Sequence, residues 1–141
     1  MAWSARRNLD GSLRVLTFHG LQDDSTTPPE SPPLDDSLHL SSGTFEQICR
    51  LLSEKYQVIS LSEAVHCIQN DKTLPPNAVA ITFDDGYASN FHLAMPILQA
   101  CRLPATVFLT TGFVDGTDIL WFQRVDWALA RSPLQKATLM I

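Results

Sequence analysis

An apolar run that stops on two acids constrains this chain more than any other feature. Val79, Ala80, Ile81, Thr82 and Phe83 include three β-branched residues and predict a buried strand, which ends at Asp84, Asp85 and Gly86. At the C-terminal end of a strand in an α/β protein, side chains are fixed by the sheet yet face the cleft where ligands bind. Two adjacent carboxylates placed there suit cation binding or proton transfer, whereas an Asp-Gly step can also simply turn the chain. The neighbouring segments decide between these readings.

Residues 13–18 predict a first strand that ends in His19-Gly20. Residues 21–42 change to Asp, Ser, Thr and the prolines Pro28, Pro29, Pro32 and Pro33, a composition that supports no core and predicts a long surface loop. Thr44 and Gln47 have capping-box spacing, and Phe45, Ile48, Leu51 and Leu52 recur at helical intervals, so a helix is expected over 44–54. A short strand follows at 56–59. Ser60 with Glu63 then opens a helix expected to turn Leu61, Ala64, Val65 and Ile68 inward, ended by residues 70–77 with Pro75-Pro76. Pro96 cannot sit in a helix interior, so a turn at 88–93 precedes a separate helix that carries Pro96 in its first turn. A strand is expected at 105–109 with Thr110, Thr111 and Gly112 at its mouth. Trp121, Val125, Ala128 and Leu129 mark a last amphipathic helix, closed by Ser132-Pro133.

Strands alternating with helices of this size imply βαβ units and a parallel sheet, and right-handed crossovers bring His19, Asp84, Asp85 and Thr110 to one edge. The chain of 141 residues with 45% apolar side chains suits one domain or part of a larger one. Ten basic against fifteen acidic residues give a net charge of −5, and no basic cluster exceeds the Arg6-Arg7 pair, which argues against nucleic acid and anionic membranes as partners. Residues 1–11 have no apolar segment behind their arginines and no run reaches the length of a membrane span, so a cytoplasmic, unexported chain is expected.

Cys49, Cys67 and Cys101 are widely spaced within apolar segments and read as buried reduced thiols. Among the histidines, His66 and His92 read as solvent-facing or packed, and His39, in the proline-rich loop, as structural. His19 differs because it ends a strand at the expected active face. Trp121, Phe122 and Trp127 are spaced like helix core, with Trp121 also a candidate to line the site.

Chemically, Asp85 suits a divalent cation and Asp84 a base that takes a proton from the metal-bound water, whose pKa falls to about 7. A catalytic zinc wants about three protein ligands, and no two histidines here are paired at ligand spacing. A phosphoryl-accepting signalling domain also uses neighbouring acids, but it needs another Asp at the mouth of a later strand, where Thr110-Thr111-Gly112 stands.

Thr82-Phe83-Asp84-Asp85-Gly86-Tyr87 resembles the first motif of the NodB-type polysaccharide deacetylases, carbohydrate esterase family four. Leu16-Thr17-Phe18-His19 resembles their opening strand, and Leu74-Pro75-Pro76 their approach to the acidic motif. Pro96-Ile97-Leu98 and Pro104-Ala105-Thr106-Val107-Phe108-Leu109 resemble the helix and strand that follow it. The resemblance implies a distorted, here partial, (β/α) barrel and the removal of N-acetyl, sometimes O-acetyl, groups from amino-sugar polysaccharides, with a bacterial exopolysaccharide the nearest substrate type. It implies Asp84 as catalytic base and Asp85 as ligand of a divalent metal, zinc with cobalt or nickel as alternatives. It further implies the backbone N–H of Tyr87 as an oxyanion donor, while His19, Thr110 and Trp121 are candidates to line the site.

The family's remaining ligands come from a His-x-x-x-His motif downstream of the 105–109 strand, and its general acid is a late histidine; neither is present in this sequence. The expected organisation is therefore a tail at 1–12, the N-terminal part of a deacetylase domain at 13–130 and a tail at 131–141. Such a chain is expected to lack half of the barrel and to be inactive alone unless a longer gene product supplies the rest; the alternative is a non-catalytic carbohydrate-binding or scaffolding remnant of a deacetylase.

Overall fold

The computed structural model describes residues 11–24 and 38–133. The expectations for the Arg6-Arg7 pair, the four loop prolines and the C-terminal tail lie outside those residues.

The strand that ends on the acids is the axis of the molecule. Strand β5 (Ala78–Phe83) is buried at every position, as a strand covered on both faces must be. Strand β1 (Arg14–Phe18) pairs with it in parallel along its whole length, from Arg14 opposite Val79 to Phe18 opposite Phe83. Its other edge is shared. Strand β4 (Gln57–Val58) pairs with Ala78 and Val79 at one end, and β6 (Thr106–Val107) pairs with Thr82 and Phe83 at the other, both in parallel. The architecture is α/β with parallel strands, a partial (β/α) barrel.

Helices pack against the sheet. The N-cap of α1 (Ser42–Lys55) is Ser41, whose hydroxyl accepts the Thr44 N–H at 3.1 Å, so the helix starts two residues before the Thr44 box predicts. Ser60 caps α2 (Leu61–Gln69) as expected, accepting from the Glu63 N–H at 3.1 Å. Asn90–Ala94 is a π-helical turn in which the Met95 N–H reaches the Asn90 carbonyl, and it runs into α3 (Met95–Cys101) with Pro96 in the first turn. The wider turn precedes the residue that has no N–H to donate. Phe45, Cys49 and Leu52 of α1 pack with Leu98 of α3 on Val79, Ile81 and Phe83. The rings of Phe18, Phe45 and Phe83 meet with centroids 5.2 to 5.6 Å apart.

Four expectations fail. Strands β2 (Gly20–Gln22) and β3 (His39–Ser41) form a parallel pair inside the stretch expected to be loop. In α2 only Ala64 is buried, and Val65 and Ile68 face outward because no element lies beyond them among the described residues. Beyond α4 (Thr111–Val114), helix α5 (Trp121–Arg131) has its apolar residues in solvent: Trp121, Val125, Trp127 and Leu129 are all exposed rather than core. Phe108 and Leu109, expected within the last strand, lie past its end and are exposed, and an apolar groove of about 470 Å³ lies along that strand between Leu98, Met95 and Val107. No helix among the described residues is long and apolar enough to cross a membrane.

Candidate active site

The acid turn begins where the sheet ends. The Asp84 N–H donates to the Phe18 carbonyl at 2.9 Å, which extends the β1–β5 ladder by one residue and sets Asp84 beside the point where His19 leaves β1. The chain then reverses. Asp85 has φ +71° and Gly86 φ +79°, and the Gly86 N–H turns back to the Asp84 carbonyl at 3.0 Å. Left-handed backbone is accessible to Asp at modest cost, while at Gly86 it favours glycine. Space at Gly86 enforces the same choice, since a Cβ would stand 2.7 Å from Leu109 Cδ2.

Asp85 is tied to the mouth of the next strand. The Thr110 hydroxyl donates to Asp85 Oδ1 at 3.3 Å, and the Thr110 N–H donates to the Asp85 carbonyl at 3.4 Å. Both acids are half-buried. His19, Asp84, Asp85 and Thr110 therefore share one end of the parallel sheet. Trp121 is placed differently: it lies at the start of α5, 75% exposed, with its ring against Phe122.

Tyr87 is the residue on which the surrounding elements converge. Its ring meets His39 edge-on at 4.9 Å and Phe113 of α4 at 5.6 Å, and its hydroxyl accepts from Gln123 Nε2 of α5 at 3.2 Å. Burial, and then the Asp85 carboxylate nearby, holds the phenol above its ordinary range, with the Gln123 hydrogen bond pulling the other way. His39, Phe113 and Gln123 were not legible as site neighbours: their contact with Tyr87 is made across space by elements of three to eleven residues.

The arrangement offers two carboxylates on a rigid turn, a hydroxyl on one of them, and a histidine at the adjacent strand end. It does not complete a metal centre: among the described residues no group of three or more His, Cys, Asp or Glu side chains is placed to hold an ion.

Comparison with known proteins gives one consistent answer. The family described as "Polysaccharide deacetylase" matches residues 71–134. Poly-beta-1,6-N-acetyl-D-glucosamine N-deacetylase of Escherichia coli (strain K12) is 37% identical over 75 residues, 53% of this chain and 11% of that protein. The Bacillus subtilis (strain 168) protein YxkH is 35% identical over 98 residues, 69% of this chain and 31% of that one. Among solved structures, a de-N-acetylase from Aggregatibacter actinomycetemcomitans is 28% identical with a TM-score of 0.61, covering 73% of this chain and 39% of its own. The chain thus spans between a tenth and two fifths of these three proteins.

Proposed function

We propose that the chain is part of a NodB-type polysaccharide deacetylase and that it supplies the base and one ligand carboxylate of a centre that hydrolyses N-acetyl groups of an amino-sugar polysaccharide. The observation that carries this reading is the acid turn itself: Asp84 locked by the Phe18 carbonyl to the β1–β5 ladder, and Asp85 held by Thr110. Asp84 takes the proton of the attacking water. Its backbone is immobilised by the sheet, which keeps a base in reach of its proton without reorganisation. As the acetyl carbonyl becomes tetrahedral, the Tyr87 N–H is the donor for the developing oxyanion.

A divalent metal, zinc with cobalt or nickel as alternatives, is the cofactor of this reading, with Asp85 among its ligands. The described residues do not make a complete ligand set. Further ligands, the general acid and the rest of the barrel belong to sequence that this chain does not contain, so we propose that the chain alone is inactive. The relative from Escherichia coli points to a poly-N-acetylglucosamine exopolysaccharide as the substrate class.

The test is acetate release from N-acetylglucosamine oligomers by this chain and by a longer protein in which it is joined to a downstream His-x-x-x-His segment. The longer protein should release acetate and this chain should not. Within the longer protein, Asp84→Asn should lower kcat by about 10² to 10⁴. An unchanged rate in Asp84→Asn would remove Asp84 from the chemistry, and a longer protein that binds the oligomers but never cleaves them would favour a binding remnant.

A further inference from the structure

His39 lies on β3, outside the acid motif, and its surroundings are built to its shape. The β2–β3 register puts it opposite Gly20, the residue that follows His19. A Cβ on Gly20 would stand 2.3 Å from His39 Cδ2 and 2.4 Å from Nε2, so the imidazole fills the volume that any other residue at position 20 would need. The ring also meets Tyr87, edge-on at 4.9 Å. His39 Nδ1 is buried and has no hydrogen-bond partner among the described residues, and the contacts the ring makes with Gly20 and Tyr87 are steric.

We propose that His39 is a positioning residue for the acid turn: wedged between Gly20 and Tyr87, its ring fixes residue 87 and thereby the backbone that carries Asp85 and the residue-87 N–H. Tyr87 is braced by Phe113 and Gln123 from α4 and α5, and His39 is the brace from the β1 side of the site. Without it, Tyr87 can move towards Gly20. The reversal at Asp85 and Gly86 then loses its C-terminal anchor, because the Tyr87 carbonyl is also the acceptor for the Asn90 N–H at 2.9 Å. The catalytic meaning of this wedge rests on the deacetylase reading above; the wedge itself does not.

Amide hydrogen exchange on this chain at neutral pH tests it without substrate or metal, so a failed deacetylase reading leaves the outcome unaffected. In His39→Ala the Asn90 amide should lose at least about tenfold in protection while Ile81 and Val79 in β5 are unchanged. His39→Phe should restore it, since a ring of similar outline suffices. Gly20→Ala should expose the same amide by displacing the imidazole, and Gly20→Ala with His39→Ala should be no worse than His39→Ala alone. Unchanged protection at Asn90 in His39→Ala overturns the proposal. An equal loss at Asn90 and throughout β5 also overturns it, by assigning His39 to general stability.

Discussion

At the scale of single residues, the acid turn depends on two backbone positions that admit few alternatives. Gly86→Ala places a side chain in the left-handed region and drives its Cβ against Leu109 Cδ2, so it should lower stability by about 1 to 3 kcal/mol, read as a lowered midpoint in urea. Cys49 behaves in the opposite way, through enclosure. Burial, with smaller contributions from Cys101 and Glu46, pushes its thiol up to about 12, so at pH 8 it stays protonated. Iodoacetamide should therefore modify the half-buried Cys67 and Cys101 at pH 8 while Cys49 reacts only on unfolding, as peptide mass mapping will show. The motif that carries Asp84 and Asp85 was legible because adjacent residues encode it. The contacts of Tyr87 were not, since His39, Phe113 and Gln123 reach it from 48, 26 and 36 positions away.

At the scale of elements, β5 takes its place from burial and its neighbours take theirs from β5. Phe83 is 1% exposed and meets both Phe18 and Phe45, so Phe83→Ala should cost about 3 to 5 kcal/mol, a large part of the stability of a small domain. Ser60→Ala removes the acceptor for the Glu63 N–H and should cost about 1 kcal/mol, measurable by the same urea unfolding. The alternation of apolar runs with capped helices made β1, β5 and α1 to α3 legible. The pair β2–β3 was not: three-residue strands show no period, and the parallel partners are separated by a proline-rich stretch that reads as loop. The helical periods of α2 and α5 identify the apolar stripes correctly but not what covers them. Periodicity reports that a face is apolar, and only a neighbouring element makes it core.

At the scale of the whole molecule, apolar side chains are left in solvent past the end of β6. Strand β6 pairs with the end of β5, and beyond it lie the exposed Phe108 and Leu109, the apolar groove, and α5 with Trp121, Trp127 and Leu129 in solvent. Exposed apolar side chains in this number associate in water, so sedimentation velocity should show concentration-dependent self-association that Trp127→Glu with Leu129→Lys reduces. A chain that spans only part of its relatives leaves the same signature at its candidate site: two carboxylates share one end of the sheet, and among the described residues no group of three or more His, Cys, Asp or Glu side chains is placed to hold an ion. The measurement that tests this most directly is a calorimetric titration of this chain and of Asp85→Ala with zinc. The account predicts weak, indistinguishable heats for both, because one carboxylate does not hold a catalytic ion. Tight one-to-one binding that disappears in Asp85→Ala would contradict it and show that these residues close a metal centre by themselves.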